Sequence, residues 1–252
     1  MDFRQLLPEP GTVTVDALMA SLLRGVRIPR ERPYTIVNFI ASADGRAAFG
    51  GRSGPLGDDG DRAMFHGLRE QVDAVLAGTG TLRAERYGRI LGKPERRERR
   101  LRRGLPAEPI ACIITRSGDV PTDIPLFAES DARVVIFSPV EIDLTGCRAQ
   151  VAVVRLDPGE LTHATALRRL RSDCDVRTLL CEGGPTLFGS LLAQDVVDEL
   201  FLTLAPKLAG GGAGPTITRG PELAQPRSLR LRWLLERADQ LYLRYALGPA
   251  DV

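Results

Sequence analysis

The sequence predicts an α/β fold, a central and mostly parallel sheet with flanking helices, completed by antiparallel strands toward the C-terminus. Three observations carry this. Short β-branched apolar runs alternate with helical stretches through the first two thirds of the chain. The last third holds extended segments with no helix between the final two, as an antiparallel finish requires. The composition, 43% hydrophobic and 26% charged over 252 residues, is globular and suits one compact domain or a tight pair.

In chain order, residues 1–30 read as an N-terminal arm, within which a segment around Val15–Leu23 is a lid or a dimer arm, a choice the sequence leaves open. A single domain is expected over residues 31–252, because no internal repeat and no long linker divides it. Expected strands are Thr35–Ile40, Ala74–Ala77, Ile110–Thr115, Arg133–Phe137, Val151–Arg155 and Thr178–Cys181. Val197–Ala205, Ser228–Glu236 and Leu241–Leu247 form the antiparallel finish, with Arg237-Ala238-Asp239-Gln240 as the last turn. Helices follow from period and caps. Asp58 or Asp59 caps a segment with Met64, Leu68 and Val72 on one face, and Asp157-Pro158-Gly159 leads into Leu161–Leu170. Pro185 sits in the first turn of a helix over Thr186–Ala193, where its missing N–H is harmless.

Lys and Arg total 34 against 32 Asp and Glu, a net charge of +2, which argues against a dedicated nucleic-acid or membrane-surface binder. No apolar run approaches the ~18 residues of a membrane span, and the first residues lack a basic segment feeding an apolar one. A cytoplasmic protein is expected. Cys112, Cys147, Cys174 and Cys181 contain no CxxC pair and read as buried thiols. With only His66 and His163, and no zinc-deaminase pattern, no metal site is expected. The basic run Lys93–Arg103 is a phosphate-binding surface or, as such runs usually behave, a solvated loop or exposed helix.

Three clusters carry chemistry. The strand ending Asn38-Phe39-Ile40-Ala41 runs into Ser42-Ala43-Asp44-Gly45-Arg46, small and polar residues that let backbone approach a flat ligand. Asn38 is a polar amide inside an apolar strand and needs hydrogen-bond partners. Gly78-Thr79-Gly80-Thr81 breaks a strand before a helix and suits an anion, although Arg83 at the third glycine position excludes a Rossmann fingerprint and no P-loop lysine follows. Glu182-Gly183-Gly184-Pro185-Thr186-Leu187 ends another strand with paired glycines before a helix start, where a pyrophosphate can lie against backbone. Glu182, ending a buried strand, calls for a partner or a ligand. Ligands bind where parallel strands deliver their carboxyl ends, so three such ends in one small domain point to a common site.

Together with Gly51-Arg52-Ser53-Gly54, Thr81 through Glu85, Val197-Asp198-Glu199-Leu200 and Ala205-Pro206-Lys207-Leu208, these motifs resemble, in order and over roughly residues 30–250, the reductase domain of bacterial riboflavin biosynthesis. The resemblance implies a dihydrofolate-reductase-like fold, NADPH as cofactor, and reduction of the ribosylamino group of a 5-amino-6-ribosylamino-pyrimidinedione 5′-phosphate. It places Ala41, Pro55, Thr81, Glu85 and Gly183 through Thr186 on NADPH, and Ser53, Arg69 and Glu182 on the phosphoribosyl-pyrimidine. Glu85 replaces the usual Asp, Pro55 replaces an aromatic, and Arg86-Tyr87-Gly88-Arg89-Ile90-Leu91 departs from the usual Asp/Asn-Pro-x-Leu-Thr-x-Arg loop.

Hydride transfer from a nicotinamide needs no nucleophile or metal from the chain. Gly78, Thr79 and Leu187 join the cofactor set, Asn38 the substrate set, and Arg116 is the candidate for the 2′-phosphate of NADPH. Asp44, Asp61 or Glu182 is expected to steer protonation. Asp61 also sits where dihydrofolate reductases bind a pterin, so a pterin reductase is the alternative, and a non-catalytic nucleotide-binding module a second one. Ser228–Glu236 and Leu241–Leu247 are expected to pair across a two-fold axis in a homodimer.

Overall fold

A computed structural model describes residues 1–212 and 214–248; the last residues of the expected domain, 249–252, lie outside the described ones. Strands β1 (Asp2–Leu7) and β2 (Gly11–Thr14) are followed by helix α1 (Val15–Ser21), β3 (Tyr34–Ser42) and α2 (Asp59–Gln71). Next come β4 (Ala74–Leu76), α3 (Thr79–Glu85), α4 (Pro94–Arg102), β5 (Ile110–Ile114) and α5 (Pro125–Ala128). Then follow β6 (Arg133–Ser138), β7 (Gln150–Arg155), α6 (His163–Cys174) and β8 (Thr178–Cys181). The remaining elements are α7 (Pro185–Ala193), β9 (Glu199–Ala205), β10 (Leu229–Arg237) and β11 (Gln240–Leu247). Every strand expected from the sequence is present; β1 and β2 are additional.

The chain divides into two compact units, one of Met1–Arg27, Thr35–Leu68 and Pro185–Val252, the other of Ile28–Tyr34 and Arg69–Gly184. In the first, the strand order is β2-β1-β10-β11-β9-β3. All neighbours are antiparallel except β9 and β3, which run parallel from Ile36↔Glu199 to Ser42↔Ala205. The turn between β10 and β11 falls where the sequence places it, with Ala238 and Asp239 both left-handed at φ 49° and 63°, the twist that suits a two-residue hairpin.

The N-terminal residues contribute strands to the sheet. β1 pairs with β10, Phe3 is buried edge-on against Tyr242 at 4.9 Å, and Thr14 caps α1 by accepting from the Ala17 amide at 3.1 Å. This corrects the basis of the expected dimer: β10 has β1 on one side and β11 on the other, so neither final strand offers an edge for pairing. The inner face of these strands holds Phe201, Trp233, Leu235 and Tyr242, all buried. The register puts Leu202, Leu204, Leu234 and Leu241 on the opposite face, where they remain half-exposed.

The second unit has strand order β8-β4-β5-β6-β7, all parallel. β4, β5 and β8 are buried on both faces, which is why they read as continuous apolar runs, whereas the edge strand β7 has no buried residue. The chain moves outward from β4 through β5, β6 and β7, then returns to place β8 on the other side of β4. The order therefore reverses at β4.

The basic run forms helix α4, yet it is not simply a solvated surface. Arg96 and Arg99 reach the carboxylate of Glu70 at 3.1 and 2.8 Å, and Arg103 donates to the Glu70 carbonyl at 2.7 Å. Arg100 is 0% exposed and donates to the carbonyls of Glu70, Val72 and Pro106 at 3.0, 2.6 and 2.8 Å. It thereby satisfies carbonyls at the end of α2 that the helix cannot satisfy itself. Burial pushes its guanidinium down to about 10.

Candidate functional site

Because β4 lies between β8 and β5, the carboxyl ends of these three strands stand side by side in the second unit, with neighbouring strands ~4.8 Å apart. The structure thus brings together Glu182, Gly183 and Gly184 after β8, Gly78 through Thr81 after β4, and Arg116 after β5. A reversal of strand order at this end of a parallel sheet leaves a crevice between loops that part in opposite directions.

The Gly183–Gly184 turn is fixed to the start of α3. The Gly78 amide donates to the Gly183 carbonyl at 2.8 Å, and Gly183 takes φ +85°, open to glycine but strained for other residues. A Cβ on Gly184 would stand 3.1 Å from the Thr81 hydroxyl, so a side chain there would fill the space beside Thr81. Glu85 ends α3. Arg116 is exposed and donates to the Leu161 carbonyl at 3.1 Å. Near it, His163 is held below its ordinary value by burial and by the Arg116 charge.

Arg69 and Glu182, which the resemblance gives to substrate, are committed to each other. Arg69 donates Nε and Nη2 to the two carboxylate oxygens at 2.6 and 2.7 Å and Nη1 to the Ile90 carbonyl at 3.0 Å. The Tyr87 hydroxyl donates to Glu182 Oε2 at 2.7 Å, and its ring lies 5.1 Å beneath the Arg69 guanidinium. Both members of the ion pair are buried. Sequence reasoning missed Tyr87; its only signal was an aromatic hydroxyl in a loop of arginines and glycine.

In the first unit, Asn38 is half-buried and Ala41 buried on β3, and Asp44 lies in the turn that follows. Asp44 accepts from the Ser42 hydroxyl at 2.5 Å and from the amides of Ala209 and Gly210 at 3.1 and 2.7 Å. These bonds, the Ser42 hydroxyl foremost, hold its carboxyl down to about 2. These bonds tie Asp44 to its own turn and to the Ala209–Gly210 backbone. Ser53 and Pro55 are exposed in the loop before α2, and Lys207 Nζ donates to the Pro55 carbonyl at 2.8 Å. Pro185, Thr186 and Leu187 form the first turn of α7, where Thr186 is exposed and Leu187 buried.

Asp61 occupies the first turn of α2, its amide capped by Asp58 Oδ1 at 2.8 Å. Burial raises its carboxyl above the ordinary value, the neighbouring Asp58 adds to this, and a hydrogen bond with the Thr203 hydroxyl on β9 opposes it. Thr203 is buried and was not foreseen, though a hydroxyl inside the apolar run Glu199–Ala205 is a visible signal. Between Asp44 and Asp61, it is thus Asp61 whose surroundings favour the protonated form.

Comparison with known proteins agrees with this architecture. A 2,5-diamino-6-ribosylamino-4(3H)-pyrimidinone 5′-phosphate reductase of Archaeoglobus fulgidus is 29% identical over 191 residues, 75% of this chain and 87% of that protein. Its namesake in Methanothermobacter thermautotrophicus is 26% identical over 223 residues, 86% and 99% of the two chains. Among solved structures, a pyrimidine reductase-like protein from Corynebacterium diphtheriae superposes with a TM-score of 0.73 at 23% identity, covering 92% of this chain and 99% of that one. The Saccharomyces riboflavin biosynthesis reductase Rib7 gives 0.67 at 18% identity, covering 92% and 100%, and so shares the fold. The RibD C-terminal domain family matches residues 33–242, most of the sequence, and the protein belongs to that family.

Proposed function

We propose that this chain is an NADPH-dependent oxidoreductase that reduces the ribosylamino group of a 6-ribosylaminopyrimidine 5′-phosphate, a step of riboflavin biosynthesis. The observation that carries it is the convergence of the β8, β4 and β5 ends where the strand order reverses. Family membership and the names of the two archaeal relatives support the substrate class.

The residues present fit the cofactor. Gly183 and Gly184 offer bare backbone to a diphosphate, Thr81 offers a hydroxyl beside it, with Thr79 in the same helix turn, and Arg116 offers an exposed guanidinium for a 2′-phosphate. Ala41, Pro55, Glu85, Pro185, Thr186 and Leu187 complete the proposed cofactor set. NADPH supplies a hydride when bound, and the chain's own part is to bind, orient and manage one proton. We assign that proton to Asp61, Asp44 to clamping its loop, and Asn38 and Ser53 to substrate.

A second reading, reduction of a pterin, is favoured by the Asp61 and Thr203 pair, a carboxyl and a hydroxyl able to meet an amino group and a ring nitrogen. We further propose a homodimer through the half-exposed face of Leu202, Leu204, Leu234 and Leu241, and a cytoplasmic setting that keeps the four cysteines reduced. Among the described residues no helix is long and apolar enough to cross a membrane.

The test is NADPH and NADH titration, followed by NADPH oxidation with the diaminopyrimidinone and aminopyrimidinedione ribosyl phosphates and with dihydrofolate, side by side. Turnover of a ribosylaminopyrimidine supports the main reading, and turnover of dihydrofolate alone supports the second. Tight NADPH binding with no oxidation of any of them overturns the enzymatic reading in favour of a binding module. A monomer in light scattering at micromolar concentration overturns the dimer.

A further inference from the structure

We propose that Tyr87 and Arg69 are positioning residues for the Gly183–Gly184 turn, acting through Glu182, and that the Tyr87 hydroxyl sets how tightly this turn holds the diphosphate of a pyridine dinucleotide. This rests on the cofactor site proposed above.

The turn's own side chains restrict its φ and ψ angles little. Its two glycines carry no side chains to pack, and Gly183 adopts a left-handed backbone that glycine enters and leaves readily. Its geometry is therefore fixed by what holds its flanks. On the backbone side, Glu182 donates its amide to the Leu76 carbonyl at 2.9 Å, and Gly183 accepts from the Gly78 amide at 2.8 Å. On the side-chain side, the Glu182 carboxylate is held by the Arg69 fork at 2.6 and 2.7 Å and by the Tyr87 hydroxyl at 2.7 Å.

Tyr87 is itself well placed to act as an anchor. Arg86 turns the chain at the end of α3 with φ 46°, after which the Tyr87 amide donates to the Leu82 carbonyl at 3.3 Å and its carbonyl accepts from the Leu126 amide at 2.9 Å. Its ring lies under the Arg69 guanidinium, so one aromatic side chain supports both members of the ion pair. Gly78 at the start of α3 and Tyr87 just past its end thus hold the turn from two directions. Burial and the adjacent Glu182 charge keep the phenol protonated, so it remains a donor.

Tyr87→Phe keeps the ring over Arg69 and removes only the donor; Tyr87→Met removes the donor with a more adaptable side chain. In the full-length protein, each is expected to raise the Kd for NADPH about tenfold, the effect of one hydrogen bond to a charged group. The Kd for NADH should rise by the same factor, because the diphosphate is common to both. Kd is read by nicotinamide fluorescence alongside the melting temperature. A lowered melting temperature with unchanged Kd in the folded protein overturns the proposal, as does loss of fold in both variants, since the hydroxyl is then structural. Wild-type protein that binds neither nucleotide removes the cofactor site and this inference with it, whereas wild-type binding with unaltered variants removes the inference alone.

Discussion

Arg69 grips Glu182 through both carboxylate oxygens, with the two side chains only 8% and 1% exposed. The energetics of such a pair are asymmetric. Forming it is close to neutral against an apolar alternative, but breaking it strands a charge away from water. Arg69→Ala is therefore expected to cost about 3–5 kcal/mol in urea unfolding. The double change Arg69→Met with Glu182→Gln should recover a large part of that loss. A single-variant cost below ~1 kcal/mol, typical of surface pairs, would show that water reaches the pair.

Asp61 links stability and pH in the opposite sense to most carboxylates. Its folded-state value is raised by burial, so the native state prefers the protonated form. That preference stabilises fully below the ordinary Asp value of about 3.9 and is lost as pH rises through the folded value. Asp61→Asn should then raise the melting temperature at neutral pH by a few degrees, with the gain shrinking toward zero as pH falls below about 4. Turnover should fall about 100-fold or more, because a group that holds a proton for the substrate is removed. A variant with lower stability at pH 7, or with unchanged turnover, would leave Asp61 a structural role in the first turn of α2.

The basic helix separates inner from outer arginines. Arg100 donates to three carbonyls and is fully buried, whereas Arg102 is 67% exposed and pairs only loosely with Glu98 at 3.9 Å. Arg100→Ala should lower unfolding stability by about 2–4 kcal/mol through unsatisfied buried carbonyls and a cavity. Arg102→Ala should stay within about 0.5 kcal/mol. Equal effects in thermal denaturation would mean that the helix is held by its surface charges.

These contrasts show what was legible in the sequence. Strands such as Thr178–Cys181 and Ile110–Ile114 announce themselves because burial on both faces demands unbroken apolar residues. The strand ends were legible too, since glycines and hydroxyls replace those residues where the sheet stops. The hairpin of β1 and β2 was not, because its strands are short and largely exposed, with Phe3 the one buried residue between them. Nor could spacing show which carboxylate each arginine would meet. Tyr87 and Glu182 lie 95 residues apart, and Arg99 and Glu70 are joined only by the packing of α4 on the end of α2. Local pattern marks where a site begins, while the partners that fix its charges come from tertiary structure.

Arg116 offers the most direct measure of cofactor choice. It follows β5 at the same sheet end as the Gly183–Gly184 turn, with an exposed guanidinium anchored by one bond to the Leu161 carbonyl. A 2′-phosphate distinguishes NADPH from NADH by about two negative charges, and a guanidinium meets such a group with charge-assisted bonds. Arg116→Ala should weaken NADPH by about 10- to 100-fold and NADH by less than about twofold, shrinking the preference of wild type by nearly the full factor. Arg116→Lys should retain part of it, because the charge persists while the fork is lost. Raising ionic strength should weaken wild-type NADPH binding more than that of Arg116→Ala, since the screened interaction is absent from the variant. If both nucleotides lose affinity equally in Arg116→Ala, the residue shapes the strand end without reading the phosphate.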